Sequence, residues 1–275
     1  MRPRWKSRAP RDPALGNSIA GALNDHDPIA VPSLACPGIL IDGLRLTYAA
    51  QTIFTNLHLH IPAGRLTALL GPSGVGKTTL LRLAAGLDQP EAGTIAADDG
   101  KPLAGRVAYM GQQDLLLPWL SVLANVTLGA RLRGQRADTA RATDLLAQVG
   151  LAARAHDLPA TLSGGMRQRA ALARTLYENR PIVLMDEPFS ALDALTRARV
   201  QDLAANLLRG RTVLLVTHDP AEACRLAHLL LVLSGSPARL EQPIAVPGIP
   251  PRPVDNPDML AAQGRLMRTL VDSAE

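Results

Sequence analysis

What this chain lacks narrows its class before any motif is read. No apolar run approaches the roughly 20 residues that a bilayer-spanning helix needs. The greasiest stretch, Leu229-Leu230-Leu231-Val232-Leu233, is strand-sized. The N-terminus is basic, but no continuous apolar stretch follows it, so it does not read as a secretory signal. The two cysteines, Cys36 and Cys224, lie far apart and in no metal-like spacing. They predict reduced thiols in a cytosolic protein rather than a disulfide framework or a cysteine metal site. Aromatic residues make up only 3% of the chain, which leaves Ala and Leu to dominate the core. There is no internal repeat. If such a protein serves a membrane, it does so through a partner.

What is present is an apolar fraction of 47% over 275 residues, enough for one large domain or two small ones. The formal charge is +5. Arg2, Arg4, Lys6, Arg8 and Arg11 crowd the first eleven positions. Such a cluster can meet nucleic acid or anionic lipid, but a charged tail on a mixed surface accounts for it, and no nucleic acid is expected. Residues 1–37 are rich in Pro, Arg, Asp and small residues without periodicity, which predicts a disordered extension. Structure is expected from about residue 38 to 235, followed by a short C-terminal extension over 236–275.

The ordered part is organised around Gly71-Pro72-Ser73-Gly74-Val75-Gly76-Lys77-Thr78, which fits the phosphate-binding pattern G-x-x-x-x-G-K-[ST]. An apolar strand-like run, Leu66–Leu70, precedes it. Thr79–Gly86 follows as a helix ended by glycine. The glycines let the backbone N–H groups turn inward as an anion nest, and the helix presents its positive end to the same phosphates. Lys77 is placed to reach the β- and γ-phosphates, and the Thr78 hydroxyl to bind Mg²⁺.

Around this centre the pattern alternates strands and helices, which predicts a parallel sheet with helices on both faces. Ile39–Ile41, Leu44–Tyr48, Thr52–Phe54 and Leu57–Ile61 read as strands. His58 and His60 share one strand face, but no third ligand is near, so solvated histidines are expected rather than a metal pair. Glu91–Ile95 and Asp98–Lys101 suggest a short hairpin with an Asp-Gly turn. Val122–Gly150 is helix-like throughout. Ile182–Glu187 and Thr212–Thr217 read as buried strands. Asp219 caps the following helix, with Pro220 at its first position and Glu222 where a capping-box partner falls.

Several polar residues gather at the carboxyl ends of these strands, where ligands of such sheets bind. Asp186 is placed to hold Mg²⁺. Glu187, on the opposite strand face, is placed to accept a proton from the attacking water or to orient it. His218 and Gln112 each follow a strand at the same edge: the histidine is placed to contact the γ-phosphate or the attacking water, and the glutamine amide can touch Mg²⁺ and water. Leu162-Ser163-Gly164-Gly165-Met166 opens another helix and makes a second anion site. One chain thus offers two phosphate-binding helix starts, which makes sense if the second closes over a nucleotide held by another copy.

In this order the motifs resemble the ATP-binding subunit of ABC transporters, from about Ile39 to Leu233. The resemblance implies the α/β ABC ATPase fold of the P-loop NTPases. That fold has a mostly parallel core sheet, an antiparallel β subdomain and a helical subdomain at about 112–165. It makes Tyr48 the adenine-stacking aromatic. Residues 71–78 together with Thr79 become the Walker A loop, Gln112 the Q-loop residue, and 162–166 the signature. Residues 182–186 become Walker B, followed by Glu187. Ser190-Ala191-Leu192-Asp193 becomes the D-loop, and His218 the switch histidine. It further implies Mg²⁺-dependent ATP hydrolysis by a head-to-tail homodimer, peripheral to the cytoplasmic face of the cell membrane. Its partners would be permease subunits and a substrate-binding protein. Leu116-Leu117-Pro118-Trp119 and the 162–169 stretch look like importers of the nitrate/sulfonate/taurine type; 114–119, 217–222 and 232–235 look like the branch for thiamine-precursor pyrimidines. Leu116, Leu117 and Trp119 are expected to line a groove for the permease, with core packing the alternative for Trp119. A soluble ABC ATPase of repair or translation, or an exporter or lipid-extracting motor, is the alternative reading.

Overall fold

The computed structural model describes residues 36–48 and 51–273. The arginine-rich start of the expected extension lies outside the described residues. Its last two residues, Cys36 and Pro37, are buried, and the Pro37 carbonyl accepts from Thr212 Oγ1 at 2.7 Å.

The strands, in chain order, are β1 (Ile39–Tyr48), β2 (Gln51–Ile61), β3 (Leu66–Leu70), β4 (Ala92–Ala97), β5 (Val107–Met110), β6 (Ile182–Asp186), β7 (Thr212–Val216), β8 (Leu229–Ser234), β9 (Arg239–Leu240) and β10 (Ile244–Ala245). The α-helices are α1 (Lys77–Ala84), α2 (Val122–Val126), α3 (Leu128–Leu132), α4 (Thr139–Gln148), α5 (Gly164–Tyr177), α6 (Ala194–Leu207), α7 (Pro220–Leu226) and α8 (Pro257–Asp272). The larger sheet runs β10-β8-β3-β7-β6-β5, with β9 attached to β8; the smaller runs β2-β1-β4 and is antiparallel. Strands β8, β3, β7, β6 and β5 are mutually parallel, as helical crossovers require.

The parallel strands are buried on both faces, which explains their unbroken apolar runs. Alternate residues feed different cores. Val183, Met185, Val213, Leu215, Leu230 and Val232 join the helices of one layer. Ile182, Leu184, Leu214, Val216, Leu229 and Leu231 pack with α1 and the small sheet. The sheet is therefore a wall between a helical layer and an antiparallel β layer.

The structure corrects several local expectations. The four short strands before the P-loop are two long ones. The break at Asp42-Gly43 is a bulge in β1, made possible by Gly43 at φ +62°. The Asp-Gly turn forms, with Gly100 N–H bonded to the Ala97 carbonyl, but no hairpin results. Strand β4 pairs with β1, and the chain then crosses to β5 in the other sheet. The expected long helix over 122–150 is three: Thr127 separates α2 from α3, and Gly134 at φ +69° with the Asp138 cap separates α3 from α4. His58 and His60 are not simply solvated: His58 Nδ1 lies 2.7 Å from Asp42, and His60 Nε2 lies 3.6 Å from Asp98. The helical layer also runs past residue 165, because α5 packs against α2 and α4.

The segment beyond residue 235 is part of the same body. Strand β10 pairs with β8, and Met259, Ala262 and Leu266 of α8 are buried in the helical-layer core. Arg252, 2% exposed, fastens it. Its guanidinium donates to the carbonyls of Cys224, Ala227, Val246, Pro247 and Gly248. A buried charge is tolerable because oriented carbonyls replace its lost hydration.

Candidate functional site

The P-loop joins β3 to α1, and two of its glycines are obligatory for shape. At Gly71 (φ +142°) a Cβ would stand 2.2 Å from the Leu233 carbonyl; at Gly76 (φ +109°) it would stand 2.7 Å from Ile53 Cγ2. Any side chain at either position would push the loop off β8 or β2 and open the cradle. Pro72, Ser73, Gly74 and Val75 complete the curl, with Val75 N–H returning to the Pro72 carbonyl. Lys77 folds back over the loop and donates to the carbonyls of Gly71 and Pro72, each at 2.8 Å. Burial lowers the Lys77 pKa from the ordinary lysine value, while Glu187 and Asp186 pull it back up. A cation held over a nest of N–H groups at a helix start suits an anion of several oxygens.

Thr78 Oγ1 donates to Asp186 Oδ2 at 2.8 Å. Burial raises the Asp186 carboxyl pKa, partly offset by the Thr78 hydrogen bond and by Lys77, while Glu187 adds to the rise. A hydroxyl and a buried carboxylate beside a phosphate cradle are the hard oxygen donors that Mg²⁺ takes when substrate phosphates supply the rest. These residues fit that ion. Thr79 follows in the first turn of α1.

Glu187 is not the last residue of the strand. It lies just past β6 at φ +48°, in the left-handed region, while its N–H still bonds the Val216 carbonyl of β7. Its separation from Asp186 therefore comes from a twisted backbone and not from strand alternation. Glu187 Oε2 is 3.2 Å from His218 Nδ1, two residues past β7. Gln112 is exposed just beyond β5, whose Met110 is in register with Met185, the neighbour of Asp186. Tyr48 closes β1 with 74% of its surface exposed, free to offer a ring face, and it lies within electrostatic range of Arg82 on α1.

The stretch expected to form a second anion site lies apart from the P-loop. Ser163 caps α5, its hydroxyl accepting from Met166 N–H at 3.3 Å. Ser163, Gly164, Gly165 and Met166 line a surface concavity with Ala191, Leu192 and Asp193, and no P-loop residue lines it. Leu162 is buried beneath. Asp193 caps α6 by accepting from Thr196 N–H, and Gly165 leaves room for the Ala191 carbonyl, which a Cβ would approach to 3.1 Å.

Sequence reasoning missed the residue that joins the two halves of this arrangement. Gln168 of α5 donates through Nε2 to the Glu187 carbonyl at 2.9 Å and to Ser190 Oγ at 3.3 Å, and accepts at Oε1 from Ala191 N–H at 2.8 Å. It braces the left-handed Glu187 and the loop after it from the signature helix. The signal was a polar residue at helical spacing with Ala171, Leu172 and Thr175, all buried. Arg167 and Arg174 of the same helix were missed as well. Arg167 bonds Asp114 Oδ2 and the Leu162 carbonyl, and Arg174 bonds the Asp114 and Leu115 carbonyls.

These arginines fix the segment after Gln112. Leu115 is held at φ +48° with its side chain 61% exposed, and Trp119 is 71% exposed. Trp119 is thus a surface residue, and core packing is ruled out for it. Leu116, expected in the groove, is buried instead; Leu115 takes its place outside because the left-handed backbone reverses the side-chain order.

A family model described as ABC transporter matches residues 54–190. An aliphatic sulfonates import ATP-binding protein, SsuB, from Rhodopseudomonas palustris is 42% identical over 90% of this chain and 87% of its own length. The chain belongs to the ABC transporter family. Another SsuB, from Escherichia coli, is 46% identical over 76% of this chain and 82% of its own. A solved ATP-binding cassette, a dimer in a post-hydrolysis state with ADP and Pi, is 31% identical. It has a TM-score of 0.70 over 77% of this chain and all of its own. This ABC protein is an ATPase that acts on ATP. No helix among the described residues is long and apolar enough to cross a membrane.

Proposed function

We propose that this ABC ATPase powers uptake of an aliphatic sulfonate. It would work as a homodimer on the cytoplasmic face of the cell membrane, bound to a permease that a substrate-binding protein supplies. The observation that carries the reading is the pair of contacts at one sheet edge, Thr78 to Asp186 and Glu187 to His218. They support separate roles for the two carboxylates, Asp186 toward the metal and Glu187 toward the water. The sulfonate importers among the relatives favour this cargo over the pyrimidine branch, and a dimeric solved cassette supports the homodimer.

In this reading ATP lies on the P-loop with adenine against Tyr48. Lys77 leaves the Gly71 and Pro72 carbonyls for the β- and γ-phosphates, a favourable exchange of neutral acceptors for charged ones. Thr78, Asp186 and Gln112 hold Mg²⁺, which when bound neutralises phosphate charge. Glu187 takes the proton of the attacking water, or orients it, and His218 steadies the γ-phosphate oxygens. Ser163, Gly164 and Gly165 of one copy close over the ATP of the other, with the two D-loops between them. Leu115 and Trp119 face the permease, so docking there reaches the signature through Asp114, Arg167 and the Leu162 carbonyl.

The test is ATP hydrolysis by the subunit purified with its membrane partners, with candidate cargoes delivered by the cognate binding protein. Stimulation by an alkanesulfonate is expected; stimulation by a pyrimidine alone would replace the cargo. Glu187→Gln should bind ATP and dimerise while losing about 10²–10⁴-fold in turnover, the usual worth of a general base. Normal turnover of that variant would remove Glu187 from the role.

A further inference from the structure

Glu222 was expected to close a capping box on Asp219. It does not. The Asp219 N–H bonds Thr217 Oγ1 at 3.1 Å, and Asp219 Oδ1 accepts from the N–H groups of Ala221 and Glu222. The Glu222 carboxylate turns inward, with the residue only 6% exposed. There it accepts from Gln201 Nε2 at 2.9 Å, with the Thr217 hydroxyl nearby. Gln201 is itself buried, and its Oε1 accepts from Arg225 Nη1 at 3.0 Å. Burial raises the Glu222 pKa; Thr217, Gln201 and Arg197 oppose the rise, and Asp219 adds to it.

A carboxylate in this position costs free energy that an apolar side chain of the same size would not, because its bond is to the Gln201 amide and no ion pair to it is found among the described residues. What its geometry provides is a fixed turn. The Thr217 hydroxyl accepts from the Asp219 N–H on one side and faces Glu222 on the other, and the Thr217 N–H bonds the Leu69 carbonyl of β3. His218 stands between Thr217 and Asp219, exposed, with its ring against Glu187. Gln201 belongs to α6, which begins at Asp193 of the D-loop, and Arg197 of the same helix lies 3.9 Å from Asp219. Both flanks of the histidine turn are therefore held from the helix that the D-loop opens.

We propose that Glu222 is a positioning residue: through Thr217 it fixes the turn that aims His218, and through Gln201 it ties that turn to the helix starting at the D-loop. This rests on the proposed role of His218 at the γ-phosphate. Movement of the D-loop when a second copy docks is thereby passed to the histidine by two buried side chains, independently of the Glu187 loop that Gln168 braces.

The test is a double-mutant cycle on steady-state ATP hydrolysis by the full-length chain, with Glu222→Leu and His218→Ala alone and together. Glu222→Leu should lower kcat about tenfold, with KM for ATP changed by less than about twofold, since the P-loop is untouched. Glu222→Gln, which keeps the shape and one acceptor, should recover most of the loss. In the His218→Ala background Glu222→Leu should cost nothing further, because the group it aims is gone. Equal fold-losses in both backgrounds would overturn the proposal while leaving the His218 role intact. Unchanged kcat for His218→Ala alone would remove that role and the proposal with it. Should Glu222→Leu fail to fold, Thr217→Val deletes only the hydroxyl and carries the same cycle with the same expected outcomes.

Discussion

Replacing Gln168 with methionine keeps the length and apolar stem of the side chain and deletes three hydrogen bonds. The Glu187 carbonyl keeps the Ser190 hydroxyl as a donor at 3.1 Å, so its loss is partial. The Ala191 N–H loses its side-chain acceptor, although Ala191 is exposed and water can partly replace it. At about 0.5–1.5 kcal/mol for each bond lost, and less where water substitutes, the total is about 2 kcal/mol, or ~30-fold in the unfolding equilibrium. Holding Glu187 in the left-handed region costs about 1–2 kcal/mol. The brace is thus just large enough to hold it, and without Gln168 the residue relaxes and its carboxylate swings away from His218. Urea unfolding should show the stability loss. ATP hydrolysis should fall by about tenfold or more, with ATP affinity unchanged because Lys77 and Thr78 are untouched. An unaltered unfolding midpoint would refute the energetic account. A stability loss with unaltered kcat would show that Glu187 needs no brace.

Asp186→Asn should stabilise the nucleotide-free protein at neutral pH while abolishing Mg²⁺-dependent hydrolysis. The folded-state pKa of Asp186 is raised above 3.8, so ionisation costs folding stability progressively as the pH rises from 3.8 to the folded value and fully above it. Below 3.8 both states are protonated and the gain vanishes. Unfolding curves across pH would show a gain that grows with pH, and a constant difference would contradict the burial argument. Trp119→Ala should leave basal hydrolysis unchanged and abolish its stimulation through the permease; equal loss of both would sink the docking role. Arg252→Leu removes the guanidinium donor to the Cys224, Arg225, Ala227, Val246, Pro247 and Gly248 carbonyls and should destabilise the protein by roughly 3 kcal/mol, measured by chemical denaturation, and a neutral result would mean the C-terminal segment is held by its apolar contacts alone.

The phosphate cradle, the sheet and the order of its polar edge residues were legible because each is local: a glycine loop between strand and helix, and apolar runs ending in Asp, Glu or His. What was not legible depends on backbone reversal or on pairing between distant segments. Nothing in Met185-Asp186-Glu187-Pro188 announces that Glu187 turns left-handed, and nothing in Asp114-Leu115-Leu116 says which leucine faces out. The hairpin at Asp99-Gly100 failed because β4 found its partner in β1, far back in the chain. Glu222 fitted a capping spacing, but Thr217 met the cap's N–H first. Gln168 was hidden inside a run whose glycines drew the attention.

The double-sided burial of the parallel strands carries a mechanical consequence. Sliding any one of them by a single residue would deliver every aliphatic side chain to the wrong layer, so the sheet is a rigid chassis, and Asp186 and the P-loop are bolted to it. A stroke between nucleotide states must then be taken up where the chain leaves that frame. The segments after Met110 and before Ser163 connect the helical layer, and Arg167 and Arg174 make them one piece with the signature. On the proposed reading, the sheet would hold still while the helical layer, with Leu115 and Trp119 on its surface, moves against it.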